Sequence, residues 1–69
     1  MTQLAAILKQ KRKATGLTQQ DLSQKSGIGL RLIREIEQGK TSMRMDKVNQ
    51  VLAMFGMELA PAPKLRSHE

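Results

Sequence analysis

Glycine interrupts this chain at Gly16, Gly27, Gly39 and Gly56, and between those points the apolar residues recur at helical spacing. The pattern allows short amphipathic helices, each closed by a residue that tolerates the left-handed turn of a helix end. Helices of two or three turns are not stable alone in water, so these segments must pack on one another. A chain of 69 residues makes one small domain, which buries only about 60% of the surface its unfolded form exposes. A second copy or a partner would supplement so small a core.

Leu4, Ile7 and Leu8 mark the inner stripe of a first helix that runs from the N-cap Thr2 to about Ala14. Lys9, Lys11, Arg12 and Lys13 crowd its last turns, where the helix dipole favours cations. Thr18-Gln19-Gln20-Asp21 has the form of a capping box with aspartate at its last position. It starts a second helix that Ser26-Gly27 ends within about two turns. A third helix is expected from near Gly29 to about Gln38, with Leu32 or Ile33 and Ile36 as its apolar stripe. The loop from Lys40 to Met43 leads to a fourth, from about Arg44 to Phe55, carrying Met45, Val48, Val51, Leu52 and Phe55 at helical period. Met57-Glu58-Leu59 alternates apolar, polar, apolar, the pattern of a short half-buried strand, and Pro61-Ala62-Pro63 then breaks regular structure. Residues 1–60 are thus read as one domain and 61–69 as a disordered tail. The expected core is Leu4, Leu8, Leu17, Leu22, Ile33, Ile36, Met45, Val48, Leu52 and Phe55.

Twelve Lys and Arg against six Asp and Glu give a formal charge of +6 and a pI of about 10.4. That exceeds the value of about 9 typical of nucleic-acid-binding domains and points to an anionic partner. There is no cysteine, and the single histidine, His68, lies beside the C-terminus, so neither a metal site nor a cofactor is expected. Enzymatic parts are missing as well: no histidine within the fold, no glycine-rich phosphate loop after a strand, no pair of inward carboxylates. Phe55 is the only aromatic residue, which argues against base stacking on single-stranded RNA. No stretch approaches the roughly 18 apolar residues of a membrane helix, and no signal-peptide pattern opens the chain. A cytoplasmic protein without a membrane partner is expected.

The stretch "LTQQDLSQKSGIGLRLIREIEQGK" has the lengths and punctuation of a helix-turn-helix, in which the second helix enters the major groove of DNA. Leu17-Thr18-Gln19, Leu22, Gly27, Ile33 and Ile36-Glu37-Gln38-Gly39 resemble the XRE or phage-repressor family of helix-turn-helix proteins over roughly residues 4–56. Ser23, Ser26 and Arg44 depart from its usual pattern. With "MDKVNQVLAMFGMEL" following, the chain is most similar to the HipB-like antitoxins, which end in a short strand where phage repressors have a fifth helix. The resemblance implies an all-α, lambda-repressor-like bundle of four helices with a short C-terminal β-strand pairing across a dimer. It also implies a sequence-specific repressor of double-stranded DNA that regulates its own operon and binds a HipA-like kinase toxin. The alternative is a stand-alone phage-type repressor with no toxin partner. Finally, it maps Arg12 and Glu37 onto a partly buried ion pair tying the first helix to the third.

With Ile33 and Ile36 turned inward, Leu30, Arg31, Arg34 and Glu35 fall on the outer face of the third helix toward its N-terminal end, where base edges are read. Arg31 and Arg34 can each offer a bidentate fork to guanine, and Leu30 can pack on a thymine methyl. The competing reading of Arg31 is a solvent-exposed pair with Glu35, worth only about 0.2 to 0.5 kcal/mol. Phosphates are expected at Gln19, on the N-terminus of the second helix, and at Gly29, where the backbone can come close. Lys40, Thr41, Ser42, Arg44 and Lys47 would form the opposite clamp. The competing reading of Gln19 is an ordinary solvated residue near a cap, whereas Lys9, Lys11 and Lys13 are read as a solvated face whose field still steers the protein toward DNA. The dimer contact is expected at Met54, Met57, Glu58 and Leu59, since a lone strand leaves backbone groups unpaired until a two-fold mate lies beside it. Two such recognition helices would read a palindromic operator.

Overall fold

The computed structural model describes residues 2–63. Its elements are α1 (Gln3–Ala14), α2 (Gln19–Ser26), α3 (Leu30–Glu37), α4 (Met45–Leu52) and a closing 3-10 turn, Ala53–Phe55. Thr2 caps α1, its hydroxyl accepting from the Ala5 amide at 3.1 Å. Both bonds of the α2 capping box are made: the Asp21 amide donates to Thr18 Oγ1 and the Thr18 amide to Asp21 Oδ2, each at 3.0 Å. That reciprocal cap starts a helix whose inner face is little more than Leu22.

Leu8, Leu22, Ile28, Ile33, Ile36, Val48, Val51 and Leu52 form the buried core, joined at its edge by Leu4, Leu32, Met43, Phe55, Met57 and Leu59. Helix α3 packs against both α1 and α2, and α4 closes the far side against α2. Ile28 and Val51 belong to the core although they were not expected there, and so does the small Ala5. Leu4, Leu17 and Phe55 are half-buried rather than enclosed.

Met45 corrects the sequence reading outright. Expected in the core, it is 65% exposed. It opens the first turn of α4, which lies beside Leu59, Ala60 and Pro61 rather than beneath a helix, so helical period alone put it on the inner stripe. Helix α4 is also shorter than the expected span from Arg44 to Phe55. It tightens into the 3-10 turn at Ala53, where i to i+3 bonding draws in the last carbonyls ahead of Gly56.

Gly56 sits at φ +69, and the Met57 amide reaches back across it to the Leu52 carbonyl at 3.1 Å. A side chain at that φ would strain the turn, so the direction of the chain after α4 depends on this glycine. Residues 57–60 then form no strand among the described residues, contrary to the expected β-strand at Met57–Leu59. Three residues make a strand only when a second one pairs with them. The Leu59 amide instead donates to Asn49 Oδ1 at 2.7 Å, pinning the segment to α4. The expected disordered tail at 61–69 falls, for residues 64–69, outside the described residues.

Candidate nucleic-acid interface

Helix α3 divides cleanly by face. Ile33, Ile36 and Glu37 are buried, whereas Arg31 and Arg34 are exposed and Leu30 and Glu35 are half-buried. Gly29 precedes the helix as its N-cap with extended backbone at φ −59, and a Cβ built there would meet nothing within 4 Å. Neither conformation nor internal packing therefore demands glycine at this position. The first turn of α3 is open to an outside partner without a side chain at its entrance.

The amino end of α2 lies beside this turn. Thr18, Gln19, Gln20, Leu30 and Arg34 line one polar cleft of about 250 Å³. It brings Gln19, expected at a phosphate, together with Leu30 and Arg34, expected at bases. Gln20 was missed by sequence reasoning. Its only signal was its place in the first turn of a well-capped helix, where backbone amides lack helical partners.

Gln19 is held from behind. Its Nε2 donates to Glu37 Oε1 at 3.1 Å. Arg12 meets the same carboxylate as a fork, Nε donating to Oε2 at 2.7 Å and Nη2 to Oε1 at 3.0 Å, while its Nη1 donates to the Leu17 carbonyl at 2.9 Å. Burial alone would push the Glu37 carboxyl up. The hydrogen bonds from Arg12 and Gln19, with the charges of Arg12 and Lys9, outweigh it and hold the group below its ordinary range. The same pairing with Glu37 raises Arg12 against the opposing effect of burial. A buried pair in this bidentate geometry ties α1 to α3 and fixes the amide side chain at the mouth of the cleft.

At the other end of α3, Gly39 lies at φ +89 and the Lys40 amide donates back to the Glu35 carbonyl at 3.1 Å. This turn delivers the Lys40 side chain to Glu35, with Nζ 3.3 Å from Oε2, and Arg31 Nε lies 3.8 Å from that same oxygen. Arg44 pairs separately with Asp46, Nη2 donating to Oδ2 at 2.7 Å and Nε to Oδ1 at 3.2 Å. Arg44 itself lowers the Asp46 carboxyl, against a small opposing effect of burial. Among the described residues no hydrogen bond or ion pair joins Thr41, Ser42 or Lys47 to α3. Of the expected clamp, Lys40 alone is thus linked to α3, through the Glu35 carboxylate that Arg31 also approaches, while Arg44 pairs with Asp46. Met54 is exposed, Met57 and Leu59 are half-buried, and Glu58 is exposed. All four lie at the end of α4 and beyond it, away from the cleft.

With this geometry in place, comparison with known proteins is decisive at the family level. The helix-turn-helix family matches residues 8–61. The chain belongs to the XRE-type helix-turn-helix family of DNA-binding regulators. The match spans every element from the middle of α1 through the segment after α4, so it covers the two-helix motif together with the helices that support it. An uncharacterised HTH-type transcriptional regulator, y4mF, of Sinorhizobium fredii is 36% identical over 56 residues, covering 81% of this chain and 74% of that protein. No solved structure matches the chain. Among the described residues, no cluster of His, Cys, Asp and Glu is placed to hold a metal ion, and no helix is long and apolar enough to cross a membrane.

Proposed function

We propose that this protein is a transcriptional repressor that binds a palindromic double-stranded DNA operator as a homodimer. The observation that carries the reading is the division of α3: two arginines, 31 and 34, stand outward, Arg34 lining a polar cleft, while Ile33 and Ile36 fill the core behind them. Arg31, Arg34, Leu30 and Glu35 then read base edges in the major groove. Gln19 and the Gly29 backbone seat phosphates on one side, and Lys40, Thr41, Ser42, Arg44 and Lys47 on the other. The net charge of +6 steers the approach. The printed name of the Sinorhizobium fredii relative, a transcriptional regulator, agrees with this role.

Met54, Met57, Glu58 and Leu59 form the dimer contact in this reading. The Met57 and Leu59 amides are taken by their own chain, at the Leu52 carbonyl and Asn49 Oδ1. Alternation along an extended segment turns the Glu58 peptide outward, where the same segment of a two-fold mate can pair with it. The resemblance to HipB-like antitoxins, including the alternating segment after Gly56, supports an antitoxin that represses its own operon and restrains a HipA-like kinase toxin. The experiment is a footprint on DNA upstream of the protein's own gene, together with co-purification of any kinase-like product encoded beside it. Protection of two symmetric half-sites and recovery of the kinase are expected. Protection without a kinase favours the stand-alone phage-type repressor, and no protection on any genomic fragment overturns the repressor reading.

A further inference from the structure

We infer that Glu35 sets the ratio of specific to non-specific DNA binding by occupying, in the free protein, the two cations that DNA would otherwise take. The inference rests on the DNA-reading role of α3 and adds to it the device that suppresses wrong sites. Lys40 Nζ and Arg31 Nε both approach one oxygen of this carboxylate, at 3.3 Å and 3.8 Å. The arrangement is built into the backbone. The left-handed turn at Gly39 returns the Lys40 amide to the Glu35 carbonyl, which brings the base of the lysine side chain next to this residue. Arg31 is 93% exposed along its side chain while Glu35 is 25% exposed, so the carboxylate is the fixed member and the arginine the one that moves. Arg34, on the same outer face, has no carboxylate partner among the described residues.

A random duplex gains by neutralising a phosphate with Lys40, but doing so strips Glu35 of a partner and carries its negative charge against the DNA backbone. Exposed pairs are weak, so this competition adjusts affinity by a few-fold and does not prevent binding. At a site where Arg31 forks onto guanine, a neighbouring base can replace the lost partner only if it presents a hydrogen-bond donor, as the cytosine N4 amine does. Where the base presents an acceptor, the carboxylate is left facing it. Glu35 thereby penalises sequences that place guanine or thymine at its contact and spares those that place cytosine or adenine there.

Glu35→Gln is the test, using a random-sequence duplex and the duplex that the wild-type protein selects from a randomised pool. Affinity for the random duplex should rise about fivefold, and its salt dependence should steepen by about 0.9 in log–log slope, one further phosphate being neutralised. The ratio between the two duplexes should fall, whereas Glu35→Asp, which keeps the charge, should preserve most of it. In a Lys40→Ala background the gain from Glu35→Gln should shrink by more than half, because the competed cation is gone. Unchanged random-duplex binding in Glu35→Gln, or an equal loss on both duplexes, overturns the inference while leaving the DNA-reading role intact. If the wild-type protein enriches no sequence from the pool, the reading role itself fails, and this inference with it.

Discussion

Arg12 and Glu37 show how much one buried pair controls in a domain this small. Removing either partner leaves an uncompensated charge in the interior, which costs about 3 to 5 kcal/mol. That reaches the lower end of the stability expected for a chain of this length, at roughly 0.05 to 0.15 kcal/mol per residue. Glu37→Gln should therefore be largely unfolded at physiological temperature, as circular dichroism would show. Replacing both, Arg12→Met with Glu37→Leu, should recover most of the helicity, since no charge remains unpaired. Yet Gln19 loses its acceptor in that double variant, so DNA affinity should stay reduced even where the fold returns. The pH dependence has a definite sign. A carboxylate held below its ordinary value of about 4.3 stabilises the fold above that value and ceases to do so as pH falls through the folded one. The melting temperature should thus be level near neutrality and fall once the pH drops below about 4; a fall beginning near pH 6 would contradict the assignment. The two outward arginines behave oppositely to this pair. Arg31→Ala and Arg34→Ala remove no packed atoms, so melting should shift little while operator binding falls by about 1 to 3 kcal/mol per lost base contact. A loss of fold in either would mean that the outer face of α3 has been misassigned.

At the scale of elements, the sequence was most informative where a local chemical rule operates. Thr2, the Thr18–Asp21 box and the glycines after α1, α2 and α3 mark helix ends because capping is decided by neighbours within four or five residues. The outward placement of Arg31 and Arg34 was legible for a similar reason: a strongly amphipathic helix leaves little choice of face once Ile33 and Ile36 are inside. What escaped depends on how elements meet. Ile28 lies between two glycines in the turn from α2 to α3, where no periodicity marks it, yet it is buried at 3% exposure. Met45 continues a helical stripe that runs out past the packed core. The Glu35–Lys40 approach and the Gln19–Glu37 bond are long-range or cap-dependent contacts, and no spacing rule announces them. Ile28 carries a testable consequence. Its side chain plugs the joint of the two-helix motif, so Ile28→Ala should cost about 2 to 4 kcal/mol in chemical denaturation, more than truncation of the half-buried Phe55. Ser23 Oγ donates to the Ile28 carbonyl at 2.6 Å and Ser26 Oγ accepts from its amide at 3.2 Å, so the backbone of the joint is fixed independently of the side chain. Any Ile28→Ala protein that remains folded should accordingly keep its operator preference.

For the whole molecule, one recognition helix covers too few base pairs to be selective, and the proposed dimer answers that need through the segment after Gly56. Asn49 is the residue on which its geometry turns. By accepting the Leu59 amide it holds residues 57–60 along α4 and determines which peptide groups face away from the chain. Asn49→Ala should release the segment and weaken self-association measured by sedimentation, with little change in monomer helicity because its side chain lies outside the core. A chain ending at Gly56 should be monomeric at concentrations where the full chain is dimeric. DNA then reads the dimer as a ruler. Two recognition helices related by a two-fold axis contact major-groove faces separated by about 34 to 36 Å, one helical turn of B-DNA. Inserting about five base pairs between the half-sites turns one to the opposite face of the duplex, and inserting about ten returns it at a greater distance. The first insertion should reduce affinity to that of a single half-site. The second should not restore it, because a short segment pinned to α4 by Asn49 has no length to spare. Recovery with the longer insertion would instead require a flexible connection between the two DNA-binding units, and would rule out a contact made at Met57–Leu59.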